Sequence, residues 1–288
     1  MSTSQIGLEI AAKQSPFTQE SELIHPLERP VFIASVILNF VLLAAAIWIV
    51  VHPPALDKRF PIVGKEIGII RVLAVGAIVG IPMLVLRRNQ REAYVRGNSV
   101  RLSKAQFPEI YEIMEEQCRT LGIAEIPELF ITDATIKPYS QAYSSWRENY
   151  IILHQNIFDA DYRKNLDVVS FMLGHELGAI RLGHTAVNNE ILLTYISAIK
   201  WLANPLERVR VFSRDRYGAH LAPKGFRGLL IFATGRRLMD DVNIEAYLEE
   251  MRRYGSIWSF VNTFVEPRPQ VLLRMQQLRA AGFRYQPR

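Results

Sequence analysis

The chain has 288 residues, a formal net charge of +6 and a single cysteine, Cys118. One cysteine excludes an internal disulfide, so Cys118 is expected to be a buried thiol. The basic residues are not interleaved with aromatic residues and cluster beside apolar segments, which argues against nucleic acid as a partner and favours a membrane surface.

Two apolar runs near the N-terminus predict a membrane hairpin. Residues 1–30 are polar and mixed, which predicts a loosely held tail and no signal peptide. Val31 to Val51 carries no charge and is long enough to cross a hydrocarbon core of about 30 Å. A second run, 67–86, is interrupted by Arg71 near one end. The sequence therefore predicts a tail (1–30), a two-helix transmembrane hairpin (31–88) and a following domain (89–288).

The distribution of Lys and Arg predicts the orientation of this hairpin. The tail carries only Lys13 and Arg29, whereas six basic residues follow the second run within a short stretch. Such an excess marks the cytoplasmic side. We therefore expect a two-pass protein of the plasma or inner membrane, with its C-terminal domain on the cytoplasmic side. The six residues are Arg87, Arg88, Arg91, Arg96, Arg101 and Lys104.

The rest of the chain alternates helical and strand-like patterns that predict an α+β domain with a small antiparallel sheet. Ile191 to Leu202 is apolar but too short to span a membrane, so it is either a membrane-facing lid or a buried helix. The predicted helices are 103–122, 169–183, 205–219, 225–239, 243–253 and 271–280, and the predicted strands are 127–132, 139–145 and 149–154.

The helix predicted over 169–183 carries the pair His175-Glu176. In a His-Glu-x-x-His helix, two imidazoles one turn apart bind one zinc ion and the Glu acts as general base. Here the second imidazole is missing, because position 179 is Ala. His184 lies nine residues after His175, on the opposite face of a continuous helix, and is expected to be a helix cap or a surface group.

The order of these features resembles the HtpX-like family of membrane zinc metallopeptidases, relatives of the CaaX prenyl proteases. The resemblance covers roughly residues 98–280. It rests on VRGNSVRLSKAQFPEIYEI, on GHELG followed by RLGHT, and on SRDRYGAHLAP followed by GFRGLLIFATGRRL. It implies a zincin-type α+β fold, mostly helical with a small sheet, and metalloendopeptidase activity.

The resemblance also implies roles for individual residues. His175 takes the place of the first zinc ligand, and Glu176 takes that of the general base. Asp215 takes the place of a carboxylate that orients a ligand. Ala142 and Tyr143 lie on the strand that pairs with substrate in this family, where the match is partial.

Two of the three expected zinc ligands are replaced, by Ala179 and Val211, and Glu266 stands loosely where the family has a further His. Because a catalytic zinc site uses three protein ligands and a water, zinc is expected to be absent or weakly bound. We therefore expect a pseudo-peptidase that binds polypeptide or a membrane partner.

Three alternatives remain open. The first is an active zinc endopeptidase in which Glu207 or Asp215, each one turn from Val211, completes the site. The second is an engineered inactive form of a working enzyme, although Val211 and Glu266 favour natural loss over a single laboratory change. The third is a purely structural membrane protein that shares only the fold.

Overall fold

The computed structural model describes residues 16–17, 19–51, 86–133, 139–145, 148–158, 162–250, 261 and 265–283. These residues form a mostly helical α+β structure with one four-stranded sheet. The first helices are α1 (Glu20–Leu23), α2 (Glu28–Val51), α3 (86–98) and α4 (Pro108–Thr120). The strands are β1 (Val100–Arg101), β2 (Glu128–Thr132), β3 (Ser140–Ser144) and β4 (Asn149–His154). The later helices are α5 (Leu166–Arg181), α6 (Val187–Leu192), α7 (Thr194–Ala198), α8 (Lys200–Leu221), α9 (Ile231–Thr234), α10 (Ile244–Glu250) and α11 (Val271–Ala280). Short 3-10 helices cover Gln155–Ile157, Tyr162–Asn165, Pro223–Leu230 and Met239–Asp241.

The sheet is mixed, so the expectation of an antiparallel sheet is wrong. The strand order is β1-β2-β4-β3, and β2 pairs with β4 in parallel, while β1–β2 and β3–β4 are antiparallel. The physical reason lies in β4, in which the four residues from Tyr150 to Leu153 are all buried. A strand that is buried on both faces along its length is typical of parallel pairing, and it lies in the interior of the sheet. The more polar β3 is left at the edge.

The two faces of β4 pack into different hydrophobic clusters. Ile151 and Leu153 point into the main core, where α5 packs against β3 and β4, and α4 packs against α5. Tyr150 and Ile152 point to the other face and pack with Val95 of α3. Because side chains alternate along a strand, β4 links the two layers and fixes the sheet against α5.

Helices α5 and α8 approach each other closely through glycine. A Cβ atom added at Gly174 would lie 3.0 Å from the Cα atom of Gly218, and one added at Gly178 would lie 2.7 Å from Cβ of Tyr217. Only a residue without a side chain allows this approach. The glycines that flank His175 in the sequence therefore set the distance between the two helices that carry the candidate site.

Helix α2 is the candidate membrane span. Glu28–Trp48 is long and apolar enough to cross a membrane, and only 11% of its most apolar window is buried. Among the described residues it is the one helix of this kind, so the structure supports one candidate span and not the predicted two-helix hairpin. The second predicted helix, 67–86, lies outside the described residues except for Leu86, which belongs to α3.

The expectation of a loosely held tail is wrong for the part of residues 16–30 that the structure describes. Leu23 is 3% exposed and belongs to the main core. Glu20 accepts hydrogen bonds from Arg181 at 2.8 and 3.1 Å. The backbone N–H of His25 donates to Oγ of Ser213 at 2.9 Å. Contacts to α5 and α8, more than 150 positions away, hold this segment in place. The composition of residues 1–30 does not predict contacts over that distance.

Several predicted helices have different limits. The apolar stretch 191–202 is divided among α6, α7 and the start of α8, because the side chain of Asn39 accepts the N–H groups of Tyr195 and Ile196 and starts a new helix there. Helix α8 begins at Lys200, so Pro205 lies inside it and does not begin it. The stretch 225–239 is mostly 3-10 helix with the short α9, whereas α11 has the predicted limits.

Candidate functional site

His175 lies on α5 and is held by a buried carboxylate. Its Nδ1 atom lies 2.9 Å from Oδ1 of Asp215 on α8. Because a carboxylate only accepts hydrogen bonds, the proton of the neutral imidazole must be on Nδ1. Nε2 then keeps its lone pair, which is the form of imidazole that binds metal ions or accepts protons. The side chain of His175 is 10% exposed.

Asp215 is held in turn by Arg274 of α11. The guanidinium donates to both carboxylate oxygens, from Nε at 2.8 Å and from a terminal nitrogen at 2.6 Å. Burial would raise the pKa of Asp215, but the charge and hydrogen bonds of Arg274, with a smaller contribution from His175, bring its pKa below the ordinary value. A buried, charged network thus joins α5, α8 and α11 and fixes the orientation of the imidazole.

Glu176 points to the sheet and is engaged there. One carboxylate oxygen accepts a hydrogen bond from Oγ of Ser140 at 2.7 Å, and the other accepts the backbone N–H of Ala142 at 2.7 Å. Glu176 itself is 4% exposed. The residue that the resemblance names as general base therefore ties α5 to the edge strand β3.

Tyr143 follows on the same strand and is half-buried. Its ring stacks on Tyr150 with centroids 5.3 Å apart, and the guanidinium of Arg91 lies 4.8 Å from its centroid. Burial raises the pKa of Tyr143, so its hydroxyl stays protonated and donates to Gln141. The structure thus places Ala142 beside Glu176, and Tyr143 one residue further along the strand.

The places expected for the second and third zinc ligands hold buried apolar side chains. Ala179 is 0% exposed and Val211 is 8% exposed. Neither side chain has an atom that can donate electrons to a metal ion. The two carboxylates proposed as substitutes are engaged elsewhere. Glu207 pairs with Arg210 at 3.2 Å, and both oxygens of Asp215 are bonded as described above.

The residues present do not fit a zinc ion. Among the described residues, no group of three His, Cys, Asp or Glu side chains is placed to hold a metal. Zinc in a catalytic site needs three protein ligands, and His175 offers one. In addition, the positive charge of Arg268 interacts with Glu176, and that of Arg274 with Asp215, which disfavours a nearby cation.

The prediction of a surface group at His184 is wrong, although its backbone N–H does cap α5 by donating to the carbonyl of Ala179 at 2.9 Å. It is 7% exposed, and Nε2 lies 2.7 Å from Oε1 of Glu28. Nε of Arg214 donates to Nδ1 at 3.1 Å, so the proton of the neutral ring is on Nε2. Gly183, in the left-handed conformation with φ of 68°, turns the chain after α5 and directs the ring inward.

Sequence reasoning missed the partners Arg274 and Ser140. Arg274 lies 59 positions from Asp215, and Ser140 lies 36 positions from Glu176. The available signal was chemical: a carboxylate in an apolar helix face must find a cation or several donors. That rule states the need for a partner but not which of many candidates supplies it.

The chain matches no protein-family model, no curated protein and no solved structure.

Proposed function

We propose that the chain is a membrane-anchored pseudo-peptidase related to the HtpX-like zinc metallopeptidases, with a zincin-type domain that binds polypeptide without cleaving it. One observation carries the proposal. The imidazole of His175 is held by Asp215 and Arg274, and the positions one turn from His175 and from Asp215, Ala179 and Val211, carry no ligand atom. Such a network would orient a metal ligand, whereas the two positions where the family has its other ligands offer none.

Loss of the metal removes the source of an activated water. In zinc peptidases the ion brings the pKa of bound water from about 15.7 to near 7, and a carboxylate takes the proton. Glu176 has no such water to act on without a metal, and both of its oxygens accept hydrogen bonds from β3. Its role in this chain is to position the edge strand.

The outer side of β3 supports the polypeptide-binding part of the proposal. Antiparallel pairing alternates, so the backbone groups of Ser140, Ala142 and Ser144 point away from β4. Glu176 takes the N–H of Ala142. Ser140 is buried. In the described part of the chain, the carbonyl groups of Ala142 and Ser144 and the N–H of Ser144 therefore remain for pairing with an added strand.

The membrane part of the proposal rests on α2. We propose that α2 spans the plasma or inner membrane, that residues 67–86 supply a second span, and that the domain lies on the cytoplasmic side. Helix α2 supports one span. The second span and the cytoplasmic side rest on the sequence alone, on the apolar run 67–86 and the basic residues after position 86.

Metal content tests the proposal directly. The full-length protein is purified in detergent without added zinc, and zinc is measured before and after loading and desalting. We expect far less than one ion per chain in both samples, because a single imidazole holds zinc weakly. About one ion per chain that is lost in His175→Ala would overturn the proposal and favour an active peptidase with another ligand set.

The inherited geometry is tested by restoring the ligands. The double variant Ala179→His/Val211→Glu should bind zinc, whereas either single change should bind it weakly, because two ligands do not make a catalytic site. A double variant that folds but stays free of zinc would show that Val211 does not occupy the place of the third ligand.

Polypeptide binding is tested by photo-crosslinking. A benzophenone amino acid is placed at Tyr143 and, as a matched control, at Arg119, which is exposed on α4. Unfolded β-casein is the probe. We expect a light-dependent conjugate from position 143 and none from position 119. Equal conjugation at both positions, or none at either, would contradict binding along β3.

A further inference from the structure

We propose that residues 187–202, comprising α6, α7 and the start of α8 and here named the immersed segment, enter the lipid bilayer beside α2. This adds a second contact with the membrane to the anchor and rests on the membrane part of the proposed function. The partner is the hydrocarbon and headgroup boundary of one leaflet.

Helix α2 has its polar side chains inside and its apolar side chains outside. Glu28, Ser35 and Asn39 are 8%, 7% and 3% exposed. They recur at helical spacing and form the face that contacts the protein. The outward face carries exposed large apolar side chains: Ile33, Ile37, Leu38, Phe40, Val41, Ile47 and Trp48. This is the reverse of a helix on a water-soluble protein, and it indicates that lipid surrounds the outer face.

The immersed segment contacts α2 well inside its apolar run. Oδ1 of Asn39 accepts the backbone N–H of Tyr195 at 2.9 Å and that of Ile196 at 3.3 Å. Asn39 lies eight residues past Val31, where the uncharged run begins, which is about 12 Å along the helix axis. One leaflet contributes about 15 Å of hydrocarbon. Helix α7 therefore lies at the depth of lipid chains if α2 spans the bilayer.

Polar contacts near the start of α2 mark the level of the membrane surface. Glu28 at the start of α2 bonds His184. Arg88, which follows the second apolar run, donates to the carbonyl of Thr185 and lies 3.3 Å from Glu190. Glu28, at the start of the first predicted membrane helix, and Arg88, just after the second, thus both contact residues 184–190. The immersed segment continues from this level toward Asn39.

The composition of the immersed segment matches an insertion that stays within one leaflet. Residues 191–199 carry no charge. Ile191 is 42% exposed and Trp201 is 63% exposed, and an exposed Trp is typical of the membrane interface. The neighbouring Lys200 can extend its stem along apolar surface and place its ammonium among headgroups.

The insertion has a consequence for the candidate site. The hydroxyl oxygen of Ser144, at the end of β3, lies 2.6 Å from the hydroxyl oxygen of Thr185. The edge strand thus ends at the level of the membrane surface. A polypeptide added to β3 would have one end at that level, which favours segments close to a membrane over polypeptide free in solution.

Spin labelling in lipid vesicles tests the insertion. Cys118→Ala removes the native thiol, and single cysteines are introduced by Trp201→Cys, Ile37→Cys and Arg119→Cys. Each labelled protein is reconstituted into vesicles of phosphatidylcholine and phosphatidylglycerol. Collisions with oxygen, which concentrates in lipid, are compared with collisions with a water-soluble nickel chelate. We expect the label at 201 to favour oxygen, as the label at 37 does, and the label at 119 to favour nickel.

The outcomes separate this inference from the proposed function. A label at 201 that favours nickel while the label at 37 favours oxygen would overturn the inference and leave the anchor intact. A label at 201 that neither reagent reaches would also overturn it, because protein would then cover that face. A label at 37 that favours nickel would overturn the anchor and the inference together.

Discussion

Removing Arg274 should unfold the domain more readily than any change of comparable size on its surface. Asp215 is 1% exposed, and Arg274 supplies two of its hydrogen bonds, at 2.8 and 2.6 Å. In Arg274→Met the buried carboxylate keeps one bond, from His175. Breaking a buried ion pair by removing one partner costs about 3–5 kcal/mol. For a domain of this size, 1 kcal/mol corresponds to about 2–4 °C in Tm, so we expect a loss of about 6–20 °C.

The pH dependence of this loss follows from Asp215. In the native chain its pKa lies below the ordinary value, so its stabilising effect is present at neutral pH and is lost as the pH falls through the folded-state pKa. Without Arg274, burial dominates and raises the pKa of Asp215 above its unfolded value. Protonation then favours the folded state. The deficit of Arg274→Met should therefore shrink as the pH is lowered from 7 to 5.

Thermal unfolding in detergent, followed by circular dichroism, measures these changes. Arg279→Met is the matched control, because Arg279 lies on the same helix, is 61% exposed and pairs with Glu245 at 3.4 Å. It should change stability by no more than about 0.5 kcal/mol. The double variant Asp215→Asn/Arg274→Met should recover part of the loss, since no unpaired charge remains. If the Tm of Arg274→Met lay within 2 °C of the Tm of the control Arg279→Met, the reasoning would be refuted.

Four further changes test other parts of the structure. Burial, with the charge of Arg214, lowers the pKa of His184 to about 4, so the native chain should lose about 3 kcal/mol of stability as the pH falls from 7 to 4. His184→Gln keeps an amide donor and an acceptor for its two partners, and its Tm should depend less on pH. Glu176→Ala leaves the hydroxyl of Ser140 and the N–H of Ala142 without their acceptor and should cost about 2–4 kcal/mol in urea unfolding, whereas Glu176→Gln should cost less. Gly178→Ala places a Cβ atom 2.7 Å from Cβ of Tyr217 and should cost about 1–3 kcal/mol, whereas Gly97→Ala, with nothing within 4 Å, should show no such clash. Burial raises the pKa of Cys118 to about 12, so maleimide should label it slowly in the folded protein and fully in denaturant; rapid labelling of folded protein would contradict its place in the core.

The sequence alone determined the features that depend on local pattern. Apolar periodicity predicted α5 with His175 and Glu176, the limits of α11 and the long apolar helix α2. That zinc ligands are missing at positions 179 and 211 stays a prediction, because those positions are defined by the resemblance to the HtpX-like family motif. These features are local because a helix or an apolar run is specified by neighbours within one or two turns.

Only the tertiary structure decided which distant groups meet. The parallel pairing of β2 with β4, the bond between His184 and Glu28 across 156 positions, and the capping of α7 by Asn39 all join segments far apart in the chain. A buried polar group must find a partner, but several partners of suitable chemistry exist in the sequence. Close packing of α8 against α5 and α2 brings one of them within bonding distance, and this choice depends on the whole core at once.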